Sequence, residues 1–407
     1  MTVFKRTKEV DLLISKIGNH KIKIITGLRQ CGKTYLLDTL FYEKLKELNI
    51  ADDKTFKKIF MFSTHKKYSG EKEFKELLHS IALQNPKIIF IDEVQEAENY
   101  QKTLIQFLGE YPRIDLYITG SNSHTLSTDI IESFKEYGDQ VCIYPLSYRE
   151  IRKHEKTYRL DDYLKYGGIP LVLNSVNKEE QLKTLFETVY QLDILDRCNK
   201  MGFKYLSEND LKHIIANILS GTTQFSIVEQ TNRIVKKTNV PNQIKIEIRK
   251  EINDFLSTIE KSFLMRTIDN LDYDRKVPLE RIGLGKKYYC ADCGLAYQKC
   301  DSPNKKYSLS LEHAVYNHLV IMGHNPKCLI LLDDKNTMNG EIDFVYGNKC
   351  VQVAYRLYSN NQQREVENLL KIDNHYEKIV VFVINELKNN NNEITMLNAE
   401  DFLLSKI

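Results

Sequence analysis

A parallel β-sheet covered by helices on both faces is the fold class that the first third of the sequence predicts. Three observations carry it. Short β-branched runs alternate with stretches of helical periodicity, a glycine-rich loop joins the first run to a helix, and a later apolar run ends in two acids. Alternating β and α segments place the strands parallel, with the crossover helices packed against the sheet. Ligands of such sheets bind beyond the carboxyl ends of the strands, which is where the loop and the acids fall.

The strands read from the sequence are 21–26, 57–63, 87–91, 115–119 and 140–145, with helical periodicity over 35–48, 72–82 and 100–108. The first strand, KIKIIT, opens into Gly27-Leu28-Arg29-Gln30-Cys31-Gly32-Lys33-Thr34, of the form G-x-x-x-x-G-K-T, and a helix follows at once. Gly27 and Gly32 let the loop wrap tightly, so that its N–H groups point at phosphate oxygens. The helix adds its positive N-terminus. Lys33 is placed to reach the β- and γ-phosphates and the Thr34 hydroxyl to ligate Mg²⁺. Gly27 through Tyr35 therefore reads as a loop that binds ATP and Mg²⁺.

The strand KIIFI runs directly into Asp92 and Glu93. Asp92 fits an acid that holds Mg²⁺ through Thr34 or water, and Glu93 is placed to polarise the attacking water. Alone, two acids after a strand read as solvated; beside the loop they read as a catalytic pair. The strand 115–119 delivers Gly120-Ser121-Asn122-Ser123. If it lies beside the loop strand, Ser121 or Asn122 faces the γ-phosphate. The competing role, helix N-cap, suits Ser123 best. For an arginine that stabilises charge, Arg29 is preferred over Arg149, Arg152 and Arg197, each of which also reads as a surface or ion-paired residue.

Composition bounds the rest. A length of 407 residues suggests two or three domains. Lys+Arg 58 against Asp+Glu 55 is too balanced to announce a nucleic-acid or membrane-surface protein. No apolar run approaches the roughly 18 residues that span a bilayer. The first ten residues are too polar for a secretory signal, and the eight scattered cysteines suit a reducing compartment, so a cytoplasmic location is expected. Cys290 and Cys293, with Cys300 and His313 downstream, would suit zinc. They lack a second closely spaced ligand pair, however, and read as buried thiols.

Four further stretches carry a family resemblance: 144–150 (YPLSYRE), 163–170 (YLKYGGIP), 287–295 (KYYCADCGL) and 340–345 (GEIDFV). In these the chain resembles a large prokaryotic family of AAA-type ATPases whose core is followed by a winged helix and a module like the PD-(D/E)XK nucleases. The resemblance implies ATP hydrolysis at Lys33, Thr34, Asp92 and Glu93. It implies an ATPase core over 1–150, a helical lid over 151–200, a winged-helix-like domain over 201–300 and a small α/β nuclease-like domain over 301–407.

Read physically, Gly167-Gly168-Ile169-Pro170 stops a helix and shapes a lid over the nucleotide. Helices are expected over 206–220, 226–237 and 242–259, followed by strands 263–269 and 286–291. Arg233, Lys236, Lys237, Lys245, Arg249 and Lys250 in this region would neutralise a phosphate backbone, or simply form a solvated face. Further on, Gly347-Asn348 is a two-residue turn signal between strands 340–346 and 349–354. Counting outward pairs Tyr346 with Lys349 and Asp343 with Gln352, placing Glu341, Asp343, Gln352 and Ala354 on one face. With Glu312 from the preceding helix, Asp343 and Gln352 resemble the metal-holding site of the nuclease class. Alanine at position 354 stands where that class has its lysine, so a nuclease fold without cleavage is expected.

The function expected is an ATP-driven switch whose nucleotide state controls a C-terminal module that binds DNA or a protein partner. An ATP-dependent nuclease and a protein holding ATP structurally are the alternatives. The sequence leaves the oligomeric state open.

Overall fold

Five parallel strands build the first sheet of the computed structural model, which describes residues 3–64, 67–120, 132–220, 225–235, 241–273, 286–300, 302–303, 305–333, 338–358, 366–386 and 393–406. They are β1 (Ile22–Thr26), β2 (Phe56–Phe60), β3 (Ile88–Asp92), β4 (Asp115–Thr119) and β5 (Gly138–Cys142), in the order β2-β3-β4-β1-β5. All four pairings are parallel. β4 lies between the loop strand β1 and the acid-bearing strand β3, so the ends of all three meet at one edge.

Alternation along the strands gives each face its own core. Ile22 and Ile24 pack with Ile89, Ile91, Phe74 and Leu104, beneath helices Glu71–Ala82 and Tyr100–Glu110. On the opposite face Ile25, Phe90 and Tyr117 pack with Leu37 and Phe41. Those last two belong to a helix that starts at Lys33–Tyr35 and runs on through a π-helical stretch, Leu36–Phe41, into Tyr42–Glu47. Lys23 interrupts the apolar strand β1, and its buried ammonium pairs with Asp115 at the start of β4.

Beyond the sheet, Ser147 and Glu150 form a capping box that starts helix Tyr148–His154. Helices Leu160–Tyr166 and Pro170–Leu173 follow. A long helix then runs from Lys178–Thr188 through a second π-helical stretch, Val189–Leu195, to Asp196–Met201. Helices Glu208–Ser220, Ile227–Val235 and Asn242–Lys261 precede an antiparallel ribbon of β6 (Met265–Ile268) and β8 (Lys287–Cys290). β7 (Asn270–Asp272) leaves the ribbon and pairs in parallel with β9 (Lys327–Leu332).

β9 opens the second sheet, whose order is β13-β12-β11-β10-β9-β7. Its other strands are β10 (Met338–Tyr346), β11 (Lys349–Leu357), β12 (Glu377–Asn385) and β13 (Ile394–Asn398). Helix Lys306–Ile321 packs across it. Tyr346 pairs with Lys349 and Phe344 with Val351, the register counted from the turn. The simple alternation fails next to that point. β10 shifts register against β9 between Ile342 and Val345, so these residues, three apart, share one apolar cluster. Such a bulge re-aims side chains. Ala354 belongs to the cluster of Ile342, Val345, Cys350 and Leu369, whereas Glu341 and Asp343 turn together toward Lys287.

Two cores tie the chain together. One unites Ile25 and Phe41 with Leu185, Ile214, Phe255 and Leu295. The other unites Tyr148 and Leu164 with Leu311, Phe344 and Phe402. Residues between 146 and 198 therefore contribute to both.

Candidate nucleotide site

Gly27 has φ 137°, and a Cβ there would lie 2.1 Å from the Ile143 carbonyl oxygen, so the loop can close only with glycine. Gly32, at φ 96°, turns the chain into the helix that begins with Lys33. The loop is anchored from outside by Arg6, whose Nη2 donates to the carbonyls of Cys31 (3.2 Å) and Tyr144 (2.7 Å). The Lys33 ammonium folds back onto the carbonyls of Gly27 (3.0 Å) and Leu28 (3.1 Å). These are neutral acceptors, which a phosphate would outcompete.

Thr34 Oγ1 donates to Asp92 Oδ1 at 3.0 Å, and Thr119 Oγ1 donates to the same carboxylate. Burial pushes the Asp92 carboxyl up, against those two hydroxyls, and the neighbouring charge of Glu93 pushes it further. Two adjacent acids in this setting call for a cation. The hard oxygens of Thr34 and Asp92 fit Mg²⁺. Glu93 sits in the left-handed region at φ 54°; its N–H donates to Thr119 Oγ1 at 3.2 Å, and its side chain accepts from Gln95 Nε2 at 2.5 Å. A strained non-glycine residue held by its surroundings is common at functional positions.

A cavity of about 430 Å³ joins these groups. Arg29, Gln30, Cys31, Gly32, Lys33, Thr34, Tyr35 and Glu93 line it. Gly27 and Leu28 stand behind the loop, where their carbonyls hold Lys33. Ser121 and Asn122 lie outside the described residues. Sequence reasoning missed the apolar end of the cavity, formed by Val3 and Phe4 from one side and Pro170, Leu171 and Asn174 from the other. The Gly-Gly-Ile-Pro lid was the available signal for the second half. Nothing marked the first.

Arg29 turns away from the loop toward the stretch Val189–Leu195. Its guanidinium makes a two-point pair with Asp193, Nε to Oδ2 at 3.0 Å and Nη2 to Oδ1 at 2.7 Å. Asp193 lies in the π-helical stretch Val189–Leu195 and is 4% exposed. Arg152 is likewise ion-paired, with Glu400.

The segment 163–170 meets the C-terminal part of the chain at Asp292. Leu146 N–H donates to Gly168 O at 2.7 Å, and Gly168 N–H donates to Asp292 Oδ2 at 2.7 Å. Asp292 Oδ1 accepts from Gly294 and Leu295, capping helix Cys293–Lys299. A Cβ on Gly294 would lie 2.3 Å from the Tyr166 carbonyl carbon, and one on Gly168 would lie 1.8 Å from Leu146 O. Backbone contact this close requires glycine on both sides. Three of the four stretches that carried the resemblance meet here.

The fourth meets Lys287. Its ammonium lies 2.6 Å from Glu312 Oε1, 2.6 Å from Glu341 Oε1 and 3.5 Å from Asp343 Oδ1. Gln352 Oε1 accepts from Asp343 N–H at 3.4 Å. Glu312, Asp343 and Gln352 thus lie near one another, around a lysine that sequence reasoning did not place. Cys290 and Cys293 are buried free thiols; Cys293 Sγ donates to Tyr163 O, and His313 Nδ1 accepts from Cys290 N–H at 2.8 Å.

Comparison with known proteins bears mainly on the first part of the chain. Residues 19–152 match the family model described as an AAA domain. The loop and the Asp92–Glu93 pair both lie inside the matched residues. Over nearly the whole length the chain is similar to an uncharacterized protein of Haemophilus influenzae, 27% identical across 93% of each chain. An uncharacterized protein of Methanocaldococcus jannaschii is 26% identical over 94% of this chain and 87% of its own. Among solved structures, the ORC2 protein of Aeropyrum pernix aligns at 12% identity and a TM-score of 0.39, covering 76% of this chain and 92% of that one. That similarity is too low to carry an argument about function. Among the described residues, no helix is long and apolar enough to cross a membrane.

Proposed function

We propose that the chain is an ATP-hydrolysing switch whose AAA domain passes its nucleotide state through the lid to the C-terminal part. The observation that carries it is the convergence of Lys33, Thr34 and Glu93 on one cavity that also reaches Pro170 and Leu171, with Asp92 held behind it by the Thr34 hydroxyl. Lys33 releases the loop carbonyls and binds phosphate. Thr34 and Asp92 hold Mg²⁺, which when bound supplies charge stabilisation to the phosphates. Glu93 accepts the proton of the attacking water as it adds to the γ-phosphorus, while the bond from that phosphorus to the bridging oxygen breaks and ADP departs. Val3, Phe4, Pro170 and Leu171 offer apolar surface to the base, with Asn174 as the polar group at that end. Ser121 and Asn122 remain the proposed γ-phosphate sensors.

The domain division proposed from sequence, with a winged helix over 201–300 and a non-cleaving nuclease-like module over 301–407, is supported by the three helices, the ribbon and the Glu312–Asp343–Gln352 grouping. Arg249 and Lys250 are exposed on helix Asn242–Lys261, where they suit a polyanion such as DNA. The test is ATP turnover by the purified chain with and without duplex DNA, beside Lys33→Ala. Turnover lost in the variant supports the switch. Turnover equal in both removes the site assignment.

A further inference from the structure

The acids that resemble a nuclease site already enclose a cation, and it is part of the chain. Glu312 arrives on helix Lys306–Ile321, Glu341 and Asp343 on β10, and Lys287 on β8, which belongs to the ribbon rather than to the second sheet. The Lys287 side chain is 3% exposed, and those of Glu312 and Asp343 are 9% exposed each. We infer that Lys287 is a built-in counter-ion standing in the place of a divalent cation, so that this cluster takes no metal and instead pins the ribbon to the second sheet.

Three features support this. An ammonium carries up to three donors, matching the three carboxylates that surround it. Two further acceptor positions are filled from within: Tyr289 OH donates to Glu312 Oε1 at 2.7 Å, and Val353 N–H donates to Asp343 Oδ2 at 2.8 Å. Among the described residues, no group of acids, histidines or cysteines is arranged to hold a metal ion. A divalent ion could enter only by expelling a buried lysine.

This inference rests on the cluster alone and stands or falls apart from the ATPase reading. The test is thermal melting of the full chain, without nucleotide, in EDTA and in roughly 5 mM Mn²⁺ or Ca²⁺, for the parent, Asp343→Asn and Lys287→Met. The parent is expected to melt at one temperature in all three conditions, or to show a shift that Asp343→Asn leaves unchanged, which then belongs to Thr34 and Asp92. Lys287→Met, left with uncompensated buried acids, is expected to melt lower in EDTA and to recover by about 3 °C or more with Mn²⁺. If Lys287→Met does not fold, the parent measurement and Lys287→Met/Glu341→Gln decide, the double variant being expected to fold without metal. A parent stabilised by Mn²⁺ through a response that Asp343→Asn abolishes overturns the inference. So does a Lys287→Met protein as stable in EDTA as the parent.

Discussion

Replacing Arg29 by alanine removes the guanidinium that Asp193 faces across 164 residues of sequence. The Asp193 side chain is 5% exposed and that of Arg29 21%, so the pair is largely desolvated. Breaking such a pair from one side costs about 3–5 kcal/mol, because the remaining charge stays buried without its partner. The lower end applies here, since Arg29 retains some solvent and burial already raises the Asp193 carboxyl, which can take up a proton. A loss of about 3 kcal/mol corresponds to about a hundredfold change in a local opening equilibrium. Hydrogen exchange of the stretch Val189–Leu195 reads that equilibrium directly. Arg29→Ala should accelerate exchange there about a hundredfold, whereas Arg29→Met/Asp193→Leu, which removes both charges, should restore most of the protection. A double-mutant cycle through Arg29→Ala and Asp193→Ala should give a coupling of at least about 1.5 kcal/mol. Additive effects, or unchanged exchange in Arg29→Ala, would refute the claim that the loop and lid are joined by this pair.

Other outcomes follow from the same geometry. Burial pushes Asp292 up to about 6 despite three N–H donors, so the folded protein binds a proton that the unfolded chain has lost. That contribution to stability is full below about pH 4 and disappears as pH rises through about 6. Urea melts of the parent between those values should show this fall, and Asp292→Asn should lack it. Gly294→Ala drives a methyl into the Tyr166 backbone and should cost about 3 kcal/mol, seen as a lowered melting temperature. Leu171→Ala should weaken ATP binding about tenfold in calorimetry, and inorganic triphosphate binding not at all, if the base packs on Leu171 as proposed.

Much of the nucleotide site was legible because its parts are local. Gly27 to Thr34 is one continuous string, and Asp92–Glu93 ends a strand whose partners follow from alternation. The Tyr346–Lys349 register was legible for the same reason, since a two-residue turn fixes it. What sequence did not disclose depends on distant segments meeting. Lys287 reaches Asp343 from 56 residues away and from a different sheet, where no spacing rule applies. The bulge in β10 also carries no composition signal, so counting by twos put Glu341 and Asp343 on the face of Ala354, from which they turn away. Arg29, singled out in the loop as a charge-stabilising arginine, is ion-paired with Asp193, a partner that could not be named because Asp193 looks like any acid on a helix. Val3 and Phe4 read as an unremarkable N-terminus until folding brings them over the loop.

The central claim is that Glu93 drives hydrolysis at a site that Lys33 makes competent to bind. Phosphate release in a single turnover, with enzyme in excess over ATP, tests it for the parent, Lys33→Ala and Glu93→Gln. The parent should release phosphate, Lys33→Ala should fail to bind ATP, and Glu93→Gln should bind ATP yet release phosphate at least about a hundredfold more slowly. Release by Glu93→Gln at the parental rate would contradict the account.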